Sequence, residues 1–148
     1  MTDDHQTERS WPGESLGLPE HGPGSVAPLG ARALAFVIDI VLAALVAGLF
    51  TAPELPKNWS LLSWFVMTAG MVAFFGFTPG MAVLGIRVAR IDGTSTVGLV
   101  RAVPRTVLTG LVLPAVAVNA DGRGWHDRAF GTVVVRTRGQ AAADRSAR

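Results

Sequence analysis

The chain has no cysteine, and charge is scarce: only 16% of its 148 residues are Asp, Glu, Lys or Arg. The first absence excludes disulfides, thiolate metal sites and a cysteine nucleophile. The second sets it apart from soluble domains, in which about 25% of residues are charged. The three histidines, His5, His21 and His126, are scattered without metal-ligand spacing. No G-x-S-x-G, no H-E-x-x-H and no phosphate-binding glycine loop occurs, and no nucleophile stands beside a base. Neither an enzyme nor a cofactor-binding or metal-binding protein is expected.

What is abundant is apolar sequence, 49% of the chain. The longest run is Ala33 to Phe50, 18 residues with Asp39 as its only charge. As a helix it would cover roughly 27 Å, close to the hydrocarbon thickness of a bilayer. Leu61 to Phe77 is a second, uncharged run of 17 residues. The link between them, TAPELPKNWS, carries two prolines and Trp59, a residue suited to a membrane interface. The runs predict two transmembrane helices folded as a hairpin, ended by Thr78-Pro79-Gly80, because proline cannot continue a helix. A third apolar segment, Val103 to Val118, contains Pro104, Arg105 and Pro114. Its uncharged part is short, which suits a re-entrant or interfacial helix.

The flanking segments read differently. Residues 1–28 are polar and rich in Pro and Gly, and predict a disordered cytoplasmic tail. They do not read as a signal peptide, since the long leading region is acidic and no small-residue cleavage site closes a short apolar core. Residues 29–137 form the membrane domain, and 138–148 a second disordered tail. Leu84, Ile86 and Val88 alternate with Gly85, Arg87 and Ala89, as in a strand. Asp92-Gly93 is a hairpin signal with Thr94 to Leu99 as the return, and Thr132 to Thr137 is a third strand. The expected class is therefore mainly α, with a small cytoplasmic sheet.

Basic residues set the orientation. Arg87, Arg90 and Arg101 lie between the second and third apolar segments, and Arg123, Arg128, Arg136, Arg138, Arg145 and Arg148 lie beyond the third. The link between the first two spans holds only Lys57. If the third apolar segment does not cross, the positive-inside rule then puts both termini in the cytoplasm of a cell whose plasma membrane holds the protein; if it crosses, the Arg-rich C-terminus lands outside, against the rule. The sequence pI near 10.4 reflects this topology and attraction to anionic lipid, not nucleic-acid binding.

A carboxylate deep in a bilayer costs roughly 2.5–3.5 kcal/mol, so Asp39 is a candidate functional residue or, alternatively, a group that fixes helix packing. Its face is small, with Ala35, Ala43 and Ala47 in line and Ala69 and Ala73 available on the second span. Arg32 stands two turns before Asp39, too far for a direct bond unless it curls inward. Arg101 and Arg105, four residues apart, are the expected partners of Asp39, with lipid phosphate as the competing one. His126 and Asp127 are adjacent and cannot form a relay by themselves. Asp127 either reaches the membrane or ties the C-terminal strand to an arginine.

Three blocks of sequence resemble the RDD family of small bacterial membrane proteins, named for one arginine and two aspartates. The first is Arg32-Ala33-Leu34-Ala35 with Ile38-Asp39. The second is Thr78-Pro79-Gly80, Leu84-Gly85-Ile86-Arg87-Val88 and Asp92-Gly93. The third is His126-Asp127-Arg128 with Gly131-Thr132-Val133-Val134-Val135. Asp127 corresponds to the second aspartate. Met81 departs from the pattern, standing where a basic residue is usual. The resemblance implies a multi-pass membrane protein, with transport of unidentified ligands suggested and cation/proton exchange proposed for some members. Two spans cannot enclose a pathway, so a transporter requires a homo-oligomer or a membrane-protein partner. The alternative is a non-transporting adaptor that docks a partner protein.

Overall fold

The computed structural model describes residues 11–94, 96–111 and 123–138, which are mainly helical. Helix α1 (Leu29–Thr51) and helix α2 (Lys57–Phe75) pack side by side as a hairpin joined by a short link. At about 1.5 Å per residue they are roughly 35 and 29 Å long. Both are long and apolar enough to cross a membrane by length and composition. The buried stripe of α1 is made mostly of small groups, as the spacing anticipates. Ala35, Asp39, Ala43 and Ala47 are buried on α1, and Trp64, Thr68, Ala69, Val72 and Ala73 on α2. The outer faces are also apolar, with Leu45, Leu49, Leu61 and Phe74 each more than 60% exposed. A helix apolar all round belongs in an apolar surrounding.

Helix α2 stops earlier than the sequence suggests, and for another reason. Gly76 takes a left-handed conformation (φ 76°) and donates its N–H to Val72, closing the helix at Phe75. Thr78-Pro79-Gly80 does not end a helix but begins one, α3 (Pro79–Leu84). The Thr78 hydroxyl accepts the Met81 N–H (3.2 Å), and Pro79 occupies the first helical position, where its missing N–H costs nothing. Gly85, at φ 64°, ends α3 and turns the chain into strand β1 (Ile86–Arg90).

Among the described residues of Thr94 to Leu99, the expected hairpin return does not form. The Asp92-Gly93 turn is present, with the Thr94 N–H on the Asp92 carboxylate (3.1 Å). Beyond it, Val97 enters the core and Gly98, at φ 76°, swings the chain into helix α4 (Leu99–Gly110). Strand β1 instead pairs antiparallel with β2 (Thr132–Arg136), Ile86 opposite Arg136 and Arg90 opposite Thr132. Four successive β2 residues, Thr132 to Val135, are buried. Such a run suits a covered strand between two neighbours, and the second neighbour is the segment before α1.

That segment corrects the expectation of a disordered tail up to residue 28. Arg136 donates to Ser25 (2.9 Å), while Gly24 and Ala27 donate to Arg136 and Val134 (2.8 Å each). Three backbone bonds and the burial of Ser25 and Ala27 hold 24–27 on the free edge of β2 despite their Pro- and Gly-rich context. The earlier residues 1–10 and the later 139–148 lie outside the described ones.

Helix α4 begins four residues before the apolar segment read from sequence and packs along α2. Gly98 donates to the Ala73 carbonyl at one end, and a Cβ at Gly110 would lie 3.2 Å from the Trp64 ring at the other. α4 therefore runs opposite to α2. The rest of the third segment, 112–118, lies outside the described residues. The core gathers Ala35 of α1, Val72 and Ala73 of α2, Ile86 and Val88 of β1, and Val134 of β2.

Candidate functional site

Two buried carboxylates organise the site, and Asp39 does not take the partner expected for it. Asp39, 3% exposed, does not meet Arg101 or Arg105. Its Oδ2 accepts the Thr78 hydroxyl (2.5 Å) and its Oδ1 the Gly80 N–H (2.7 Å). These are donors at the first turn of α3, where the unpaired N–H groups of a helix favour an anion. Asp39 thus ties the middle of α1 to the start of α3. The approach is close: a Cβ on Gly80 would overlap the carbonyl oxygen of Ala35. Only glycine allows α3 to sit there.

Asp127 lies on helix α5 (Trp125–Ala129), its side chain fully buried. Arg105 Nε (3.0 Å) and the Thr132 hydroxyl (3.1 Å) donate to its Oδ1, and Arg32 Nη1 (3.4 Å) to its Oδ2. His126 Nε2 is 3.5 Å from Oδ1. One carboxylate therefore joins α1, α4, α5 and β2. Burial by itself pushes the Asp127 carboxyl up. Arg105, then His126 and Arg32, together with the Thr132 hydroxyl, outweigh it and hold the group below the usual carboxylate range. It is an anion at neutral pH. Arg123 braces the same corner, donating to the carbonyls of Asp127 and Thr132 (3.1 Å each). Of the two alternatives open for Asp127, the tie between the C-terminal strand and arginine is the one seen.

Arg32 and Asp39 do not bond, as their separation requires; Arg32 reaches Asp127 instead, 95 residues away. Arg101 sits at the surface, 3.6 Å from Asp92. There the Thr94 backbone N–H, more than the arginines, draws the exposed Asp92 carboxyl down to about 2. Gly85 and Gly131 (φ 63°) serve as turns around the two strands. Among the described residues no group of three His, Cys, Asp or Glu is placed to hold a metal.

Between α1, α2 and α4 lies a cavity of about 210 Å3. Arg32, Asp39, Thr78, Arg105 and His126 all border it, so it touches both carboxylate clusters' partners. The remaining wall is mostly apolar, including Phe36, Val37 and Met81. Trp64 lies edge-on to Phe36, ring centroids 5.5 Å apart, and Thr68 is one turn further along α2. Trp64 and Thr68 were not singled out from sequence, and Thr132 was read only as part of a strand and its motif, not as a partner of Asp127. A polar pair four residues apart inside an otherwise apolar span was the available signal for Trp64 and Thr68. No protein-family model, curated protein or solved structure matches the chain.

Proposed function

We propose that this chain is an RDD-type integral protein of the plasma membrane that moves an ion or small ligand, with α1 and α2 spanning the bilayer and both termini in the cytoplasm. The cavity carries the reading. It brings the carboxylate in the middle of the longest apolar helix into one space with the Arg32–Arg105–Asp127 cluster. An intramembrane ionisable group beside a cavity is where substrate and ion pathways are expected. In a bilayer most of the apolar flank of the hairpin is left for lipid or a second copy of the chain, since only 22% of the α1 span and 28% of the α2 span is buried within one copy. Two spans cannot enclose a pathway, so the transporting unit is a homo-oligomer or a complex with another membrane protein.

A second reading, a non-transporting adaptor, is favoured by one observation. Both carboxylates are already engaged by internal donors, as joints in a fixed scaffold would be. Proton flux driven by a Na+ or K+ gradient in liposomes separates the two. Transport predicts flux in the wild-type chain and its loss in a folded Asp39→Asn variant. A folded wild type that moves nothing across pH and cations removes cation/proton exchange by the chain alone. The adaptor reading then predicts co-purification with a larger membrane complex.

A further inference from the structure

Residues that border the cavity carry donors to spare. Arg32 Nε and Nη2, Trp64 Nε1 and Thr68 Oγ1 are buried without a hydrogen-bond partner among the described residues. Trp64 is 5% exposed, Thr68 4%, and the Arg32 side chain 10%. All three border the cavity. Buried donors are almost always satisfied, so four such atoms on three residues that border one space call for an occupant that brings acceptors within their reach. Asp39 is the carboxylate that borders the same space, and each of its oxygens already accepts one bond. Asp39 accepts from Thr78 and Gly80, and Asp127 from Arg105, Arg32 and Thr132. At the Arg32 end two guanidiniums share one carboxylate, so the positive surplus is local to that end, and Asp39, bonded to Thr78 and Gly80, lies about two turns further along α1.

The rest of the wall selects the body of the occupant. Ala33, Phe36, Val37 and Met81 are apolar, and Leu29 and Val37 are 41% and 53% exposed on the outer face of α1. The space holds about seven water-sized groups at roughly 30 Å3 each, enough for a head and the first carbons of a chain. We infer that the cavity binds the phosphate or carboxylate head of an anionic amphiphile. Arg32, Trp64 and Thr68 hold the head, and the chain leaves past Leu29 and Val37 into surrounding lipid. This inference rests on the membrane reading above and not on transport.

The test uses the full chain purified in a neutral maltoside detergent, with bound molecules read by native mass spectrometry. The probes are phosphatidic acid, oleate, phosphatidylcholine and inorganic phosphate. Retention of phosphatidic acid or oleate at least about tenfold above phosphatidylcholine is expected. Phosphatidic acid alone identifies a membrane lipid as the source, and oleate alone a single-chain acid. Trp64→Phe with Thr68→Val removes two donors while leaving the ion cluster untouched, and is expected to weaken retention about tenfold. Val37→Trp keeps every donor, changes a half-exposed position, and narrows the exit. It is expected to abolish amphiphile retention even if the double variant folds poorly. Equal retention of phosphatidylcholine, equal retention by the variants, or inorganic phosphate bound as tightly as the amphiphiles would each overturn the inference. A chain that inserts in membranes yet retains no anion refutes this inference alone; a chain that does not insert removes the membrane reading as well.

Discussion

Gly80→Ala is the sharpest test of how α3 is seated. The added methyl would overlap the Ala35 carbonyl oxygen, and backbone cannot rotate out of the way as a side chain can. Helix α3 must lift from α1, which costs about 1–3 kcal/mol as overpacking. The lift also stretches the Gly80 N–H bond to Asp39, a hydrogen bond to a carboxylate worth about 1.5–3 kcal/mol. Alanine returns at most about 1 kcal/mol through helix propensity. The net loss is about 1.5–5 kcal/mol, a fall in Tm of roughly 5–20 °C for a chain this size. Gly48→Ala and Gly70→Ala, where a Cβ meets nothing within 4 Å, are the controls and should be neutral or stabilising by about 0.5–1 kcal/mol. Thermal unfolding in mild detergent, followed by circular dichroism at the helix band, measures all three. A Gly80→Ala protein melting with the wild type would show that α3 does not lie against α1 at Ala35.

Three further outcomes follow from the two clusters. Asp127→Asn leaves Arg105 and Arg32 buried without their counter-charge and should cost about 3–5 kcal/mol, with part recovered on adding Arg105→Gln; a full additive loss in the double variant would exclude the pair as coupled. Thr78→Val removes both the α3 cap and a donor to Asp39, about 2–4 kcal/mol, whereas Thr78→Ser should melt near the wild type; equal losses for the two would show the hydroxyl to be idle. Because the folded-state pKa of Asp127 is depressed, its contribution is fully present above the unfolded value near 4 and is lost as pH falls through the lower folded value. Tm should hold from pH 7 to about 4 and drop below that, and a drop beginning between pH 6 and 5 would contradict this.

Local patterns carried the helices and strands. The Ala35–Asp39–Ala43–Ala47 stripe, repeating every four residues, marks the face that α1 buries, and the alternation around Ile86 and Val88 marks β1. Pairing was not local. Nothing near Asp92-Gly93 tells that β1 joins a strand some 45 residues onward, or that the Pro- and Gly-rich residues 24–27 complete its other side. Thr78-Pro79-Gly80 reads equally as an end or a beginning, because the residues that stop one helix also cap the next. The arginine partners were beyond reach for the same reason. Arg101 and Arg105 share a helix and lie one turn apart, yet one turns to the surface at Asp92 and the other to the buried Asp127. Only the folded chain brings Arg32 and Asp127 together.

Orientation in the membrane is the claim on which the rest depends, and the absence of cysteine makes it directly measurable. Leu55, in the link between α1 and α2, is 81% exposed, and Thr94, beyond β1, is also exposed. Single cysteines placed there, Leu55→Cys and Thr94→Cys, are to be treated in intact cells with a thiol reagent that cannot cross membranes. A hairpin with both termini in the cytoplasm predicts labelling of the first and protection of the second until the membrane is permeabilised. Labelling of Thr94→Cys in intact cells, or recovery of the protein in the soluble fraction, would contradict it.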